Sequence, residues 1–475
     1  MNIKKEYISL AFSGILFCPT SLMASDLNNT KIIKRLDALE KRNIELEKEI
    51  KFLRKQISLP SKDSLPNKER IEGSTDFAKT TTLGGEGTMV FGGKNFRGSN
   101  SGNYGGFART DYLNKRESAT TFTYNYKLDI DSSFFESDFL KLSIKYADGG
   151  QFGSNQSIGG IYSGIGQLDD FQNTSFGLDR FWYKFPLSEK ITAYFGPEIS
   201  QEDMLAVWPS IYTTENILSF FNYAGAPGAY NKNKGGGLGL TWENDDLSFS
   251  LNYTSDNGTD QDPHFPNGGG MFTDAAGSNI TLQGAYNKDD WGMAIAYSLT
   301  NSNTRGPGLD HDNATALADR VQEIGKLNSV GISGWISNEN KKLPNISAGF
   351  GISNVVEDEC RSSSSACSTY NSAEIFSWSV GMNWDDLFVD GNTGGIAFGQ
   401  PAHVTSIKRD DGDNTADDKI NAYEMWYQFK VNNYLTVTPA IYYLDRPLGY
   451  FEDSGSNAGT SLNEFGALIK TTFKF

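Results

Sequence analysis

From about residue 80 to the C-terminus, apolar and polar side chains exchange places at every second position. Phe122, Tyr124, Tyr126, Leu128 and Ile130 alternate with Thr121, Thr123, Asn125, Lys127 and Asp129. Leu140, Leu142, Ile144 and Tyr146 alternate with Lys141, Ser143 and Lys145, and the same beat returns at Leu247–Tyr253, Trp291–Tyr297 and Tyr423–Phe429. Successive side chains of a strand point to opposite faces, so each segment predicts a strand that is apolar on one side only. Such segments number about sixteen, an even count that suits a closed antiparallel barrel with both chain ends on one side. Short links at Pro186–Glu189, Asn244–Asp246, Asn287–Asp289, Asp385–Asp386 and Asn432–Asn433 alternate with long ones. Membrane barrels have short turns at one rim and long loops at the other, and soluble sandwiches lack that regular beat. The fold expected for residues 80–475 is an all-β transmembrane antiparallel barrel.

Upstream the period changes. Ile32, Leu36, Leu39, Asn43, Leu46, Ile50, Leu53 and Ile57 are spaced alternately four and three apart, which is a heptad seam. The flanking pairs Arg35/Glu40, Arg42/Glu47 and Glu49/Arg54 are oppositely charged, as parallel neighbouring helices require. Residues 25–59 are therefore expected to form an α-helical coiled-coil stalk on the periplasmic side, joined to the barrel by a linker over 60–79 that begins at Pro60. Isoleucine at a with leucine at d favours two strands, with Asn43 fixing the register, so a dimer stands beside the trimer that a barrel of this kind suggests. Residues 1–24 read as an export signal. Lys4 and Lys5 precede the apolar run Ile8–Phe17, and Ala24 or Ser25 supplies a small residue for cleavage.

Composition narrows the classes of function. Glycine at 50 of 475 residues and aromatics at 13% suit many strands and turns. Beyond residue 25 no run of eighteen apolar residues occurs, so no helix is expected to span a membrane. A formal charge of −16 argues against nucleic acid, since neutralising phosphates needs a basic face. Cys360 and Cys367, six apart in a serine-rich stretch, are expected to form a small disulfide in an exported chain. A two-cysteine metal site is the alternative, and no histidine stands near it in sequence. His264, His311 and His403 fall in expected loops far apart, with no spacing that suggests a catalytic triad. Asp310-His311-Asp312 and the acidic run 410–418 lack a known metal-ligand spacing. No enzyme, cofactor or metal site is expected.

The third long link, from about Glu198 to Lys234, carries the functional expectation. Leu205, Val207, Trp208, Pro209, Ile211, Tyr212, Ile217, Leu218, Phe220 and Phe221 make it too apolar to wave in water. It is expected either to fold into the lumen or to pack at a subunit contact. If folded inwards it narrows the pore, and Glu198, Glu202, Asp203 and Glu215 become candidate constriction residues. The opposing bases would be Lys127, Lys141, Lys145, Arg180, Lys184, Lys430 and Lys470, and facing charges of opposite sign tune ion preference.

That link, FGPEISQEDMLAVWPSIYTTENILSFFNYAGAPGAYN, closely resembles the signature block of the cyanobacterial major outer-membrane porins. This is the Som-type or iron uptake porin family, distantly related to the OprB-type carbohydrate-selective porins. The opening TTLGGEGTMVFGG and the last strand, which ends on Phe475 like the terminal strand of outer-membrane barrels, are similar too. The resemblance implies a passive porin of the outer membrane, commonly trimeric, that admits small hydrophilic solutes and inorganic ions, iron among them. The family's S-layer homology domain has no counterpart between the signal and the heptads, which leaves the coiled coil as the candidate cell-wall contact. The resemblance also implies that the last strand closes against the first near Gly85–Phe91.

Overall fold

The structure, a computed structural model, describes residues 79–475 apart from 99–102, 105–106, 136, 149–176, 213–216, 265–267, 302–307, 310–312, 358–365, 413, 415 and 453–461. The expected signal, coiled coil and nearly all of the linker lie outside the described residues. Sixteen strands form one closed sheet. They are β1 (Thr81–Gly98), β2 (Thr121–Ser132), β3 (Phe139–Asp148), β4 (Gly177–Ser188), β5 (Ile191–Ser200), β6 (Lys234–Asn244), β7 (Leu247–Ser255) and β8 (Ser278–Asn287). The circuit continues through β9 (Trp291–Asn301), β10 (Gly325–Ile336), β11 (Asn345–Glu357), β12 (Tyr370–Trp384), β13 (Thr393–Arg409), β14 (Asn421–Asn432), β15 (Leu435–Asp445) and β16 (Leu462–Lys474).

Each strand pairs antiparallel with the next, and β16 pairs with β1 to close the circuit. The closing register sets Phe91 opposite Ile469 and Gly87 opposite Phe473, where the sequence comparison expects it. One further pair of bonds ties the last residue in, Gly85 N to Phe475 O at 2.8 Å and Phe475 N to Gly85 O at 3.0 Å.

The alternation in sequence becomes an inside and an outside. In β7, Leu247, Phe249 and Leu251 are exposed on the outer surface, while Ser248, Ser250 and Asn252 are buried within. In β16, Phe465, Ile469 and Phe473 face out and Leu468, Lys470 and Thr472 face in. A soluble barrel hides its apolar side; this one displays it, the arrangement that hydrocarbon demands of a transmembrane barrel.

Short turns close one rim. Glu189–Lys190 and Asp245–Asp246 are two residues each, with Asp245 at a φ of 47°, a left-handed conformation that aspartate tolerates. The turn expected at Asp385–Asp386 is longer and runs 385–392, because Phe388 also takes a positive φ of 63° and the chain doubles back through Leu387 and Asn392.

Long connections fill the other rim, and two features of them matter below. Loop 3 (201–233) enters the lumen. Loop 5 (302–324) carries the helix α1 (Ala316–Val321), capped by the Thr315 side chain, which accepts from Ala318 N at 3.1 Å. Leu317, Ala318, Val321 and Ile324 pack on the upper inner wall at Ile375, Val404 and Ile407. One buried carboxylate fastens this cap. Asp418 accepts from the Thr315 hydroxyl, from Val404 N at 2.8 Å and from Tyr450 N at 2.7 Å, joining three loops to β13.

Burial outweighs those three hydrogen bonds and pushes the Asp418 carboxyl up to about 6. A raised carboxyl favours the folded state while protonated and loses that contribution as pH rises through its folded value. The wild type should therefore lose about 2 kcal/mol relative to Asp418→Asn between pH 4 and pH 7. Urea unfolding of both proteins at the two pH values checks this, and parallel curves would refute it.

Candidate functional site

Loop 3 lies against the inner wall where β10–β12 present serine and glycine to the loop backbone. Ser333 Oγ donates to Ala224 O at 2.8 Å and Ser377 Oγ donates to Gly225 O at 2.9 Å. A Cβ on Gly349 would stand 2.0 Å from Ala224 O, so only glycine leaves the loop backbone its seat. Gly225 itself turns through a φ of 75°, which explains the small residues of the Ala224–Gly228 stretch. Further along, Ala206 N donates to Ser250 Oγ, Ile211 N and Tyr212 N donate to Ser347 Oγ, and Asn233 Nδ2 donates to Thr254 Oγ1, all within 3.0 Å.

The far end of the loop is held by Glu424 on β14, whose side chain is buried. Its Oε1 accepts from Tyr212 OH at 2.7 Å, and its Oε2 accepts from Ile217 N at 3.0 Å and Leu218 N at 2.6 Å. Trp426 Nε1 donates to the same tyrosine oxygen at 2.9 Å. Around this anchor Tyr212, Ile217, Leu218, Phe220 and Phe221 join Val90, Trp426, Tyr442 and Leu468 in one apolar cluster. The apolar loop thus has its partners inside the barrel, which decides between the two placements its composition allowed. Trp208 packs beside Leu205 and Tyr230 in a second cluster, and Pro209 is buried near Tyr212 and Phe221.

Loop 3 is seated on β7–β14, and its aromatic cluster reaches round to Tyr442 on β15, Leu468 on β16 and Val90 on β1. A cavity of about 670 Å3 opens between Val207, Trp208 and Ile211 of the loop and the short-turn rim at Asp245 and Asn287, and between the loop and β1–β4 lies a polar passage of about 450 Å3. Its centre is the Arg180 guanidinium. Nε donates to Asp203 Oδ2 at 2.9 Å, one terminal nitrogen to Glu202 Oε1 at 3.2 Å, and the other to Asp179 Oδ1 at 3.3 Å. Lys232 pairs with Glu202 at 2.9 Å and spreads its charge over the Trp208 and Tyr223 rings, 4.8 and 5.4 Å from the centroids. Lys234 reaches Asp179 at 3.3 Å, and Lys127 stands 3.7 Å from the same carboxylate.

Asp179 and Arg180 are sequence neighbours, and in a regular strand they would point to opposite faces. The β3–β4 pairing slips here: Ser143 faces Arg180 and Ile144 faces Leu178, so Asp179 is the extra residue of a bulge. That slip brings both side chains to the passage. A second slip on β5 sits beside it, between Gly196 and Ile199, and Glu198 falls within it, opposite Phe181 and within reach of the Lys234 and Arg180 charges.

The expected site residues therefore scatter. Glu202, Asp203, Arg180 and Lys145 gather at or beside the passage. Lys141 is placed on the wall between Asp129 and Asp131, at 3.2 and 3.0 Å. Lys184 stands over the Phe139 ring, 5.4 Å from its centroid. Lys470 is fully buried, and Lys430 is exposed beside the 385–392 turn, its N–H donating to Asn392. Glu215 and Cys360 lie outside the described residues; Cys367 is disulfide-bonded. Asp179, Lys232 and Lys234 were not anticipated. His403 is not in a loop: β13 runs longer than expected and takes it in, buried, with its ring edge-on to Phe376 at 6.1 Å.

No protein-family model matches the chain. An uncharacterised protein of Synechocystis sp. is 23% identical over 470 residues, covering 93% of this chain and 76% of that protein. Among solved structures, the high-pH structure of Pseudomonas putida OprB aligns with a TM-score of 0.51. That alignment is 13% identical and covers 85% of this chain and 96% of OprB. The barrel has a porin fold. Among the described residues no group of three or more His, Cys, Asp or Glu side chains is placed to hold a metal ion.

The anchor at Glu424 can be tested directly. Glu424→Ala leaves the Tyr212 hydroxyl and two loop N–H groups without their acceptor inside the barrel, a loss of about 3 kcal/mol or more. The expected result is a lower urea midpoint together with noisier single-channel current. Glu424→Gln keeps one acceptor oxygen and should fall between. An unchanged midpoint in the alanine variant would show that the apolar cluster alone holds the loop.

Proposed function

We propose that this protein is an outer-membrane porin that lets small hydrophilic solutes and inorganic ions diffuse passively through a water-filled barrel narrowed by loop 3. The observation that carries this reading is the passage beside Arg180. Loop 3 packs into one side of the lumen with dry clusters, yet leaves the β1–β4 side lined by charged and amide groups. A barrel serving only as an anchor has no need of a polar corridor beside a well-packed plug. In this reading the short turns face the periplasm, the long loops face outside, and the N-terminal heptads form a periplasmic stalk. The sequence resemblance supports a place near the cyanobacterial iron uptake porins, a homotrimer in the membrane, and a cell-wall contact through the stalk. Carbohydrate passage is the variant suggested by the likeness to OprB.

Purified protein in a planar bilayer is expected to give stepwise conductance. A folded protein that stays silent would leave the anchoring role as the better account. The passage itself is located by Asn222→Cys, since Asn222 lies on loop 3 at its lining. Reaction with a sulfonatoethyl methanethiosulfonate should lower the unitary conductance of the variant and leave the wild type unchanged. Full conductance after modification would route the current elsewhere.

A further inference from the structure

Resting on that pore reading, we propose that Gln322 is a positioning residue that holds Gly308 as a lip of the passage, so that loop 5 frames the conduit together with loop 3. Among the described residues, the lining comes from β1–β4, from loop 3 and the start of β6, and from one residue outside them, Gly308 of loop 5. Gly308 meets the passage with backbone alone, at a φ of 117° that residues with a side chain rarely adopt. It stands beside Thr300 of β9, whose hydroxyl accepts from Asn231 Nδ2 at 3.2 Å at the exit of loop 3.

The next residue carries the clamp. Leu309 N donates to Gln322 Oε1 at 2.8 Å, and Gln322 Nε2 donates back to Leu309 O. The side-chain amide thus pairs with the Leu309 backbone as a residue of a neighbouring strand would. Gln322 Nε2 also donates to Asp319 Oδ1 at 2.9 Å, on α1. Gln322 is only 5% exposed, so little water competes for these bonds. Behind the clamp the cap is well anchored. Leu317, Ala318 and Val321 of α1 pack on the wall, and Asp418 accepts from the Thr315 hydroxyl at the start of the helix. The Leu309 side chain joins the same apolar cluster, so two devices hold this residue. They differ in kind. Burial of leucine has no direction, whereas paired hydrogen bonds fix which way the Gly308–Leu309 peptide points. Without the amide, the freed N–H and C=O must find other partners, and the water nearest to Gly308 is in the passage. The lip then turns inward and narrows the conduit.

The test is unitary conductance in a planar bilayer, each variant read as its ratio to the wild type at the same pH. Gln322→Met, which keeps the length of the side chain and removes both bonds, should lower the conductance by about a third and add flicker. Gln322→Glu discriminates further. A neutral carboxyl has one donor and one acceptor and can make both bonds to Leu309, whereas a carboxylate cannot donate to the carbonyl. This variant should match the wild type at about pH 5 and behave like Gln322→Met at about pH 9. Asp319 and Glu323 adjoin position 322 in both proteins, so the ratio removes their own titration. An amide that served stability alone would leave the open-channel conductance unmoved by pH in the Glu variant. Heat-modifiable migration on gels reports whether each variant has folded, and if the Met variant fails to fold the Glu variant decides. Wild-type conductance in folded Gln322→Met, or a Glu variant whose ratio does not change with pH, overturns the positioning role and leaves the pore reading standing. A folded wild type that passes no current overturns the pore reading itself.

Discussion

Everything at the centre of this barrel depends on loop 3 finding hydrogen-bond partners away from bulk water. Backbone groups that leave water without new partners are a heavy penalty, and this loop brings many of them into the lumen. The wall answers with hydroxyls and glycines on one side and with the Glu424 carboxylate at the far end. Once the backbone is satisfied, the aromatic side chains of the loop can do what their size favours and exclude water around Tyr212 and Trp426. The passage is the space this packing leaves, so its position and its charge are both set by where the loop is seated.

The division of labour around the barrel follows. Strands β7–β12 carry Ser, Thr, Asn and Gly inward where the loop backbone lies flat, while β14 and β15 present Glu424, Trp426 and Tyr442 to its aromatic end. Strands β1–β4 carry Lys, Arg and Asp inward, because water faces them. The outer surface shows neither difference, since hydrocarbon asks the same of every strand. At the long-loop rim a third solution appears, a small helical cap with its own apolar core and a buried acid at its junction.

Much of this was legible in the sequence. Period two gave the strands and their faces, because side-chain alternation in a sheet is geometric and survives any context. The closure of the last strand on the first near Gly85–Phe91 was implied by the family resemblance, and the apolar excess of one long link allowed either the lumen or a subunit contact until its wall partners were seen. What alternation could not deliver was the local register near the constriction. Asp179 and Arg180 reach the passage together only because one residue is looped out of the β3–β4 ladder, and a bulge leaves no mark in a pattern of polar and apolar letters. Lys232 and Lys234 flank Asn233 at the exit of loop 3, a spacing that resembles an ordinary solvated loop end until the partners Glu202 and Asp179 are seen. His403 was misplaced for the reverse reason: its strand continues past the point where the alternation fades.

The seam between β1 and β16 has a further meaning in time. Glu86 and Thr88 line the passage, and they are braced by Lys474 and Thr472 from β16 across the closing seam. That stretch of wall is therefore incomplete until β16 has docked on β1. A half-assembled sheet would lack the support of that wall, so the lining of the polar passage takes shape only as the circuit closes.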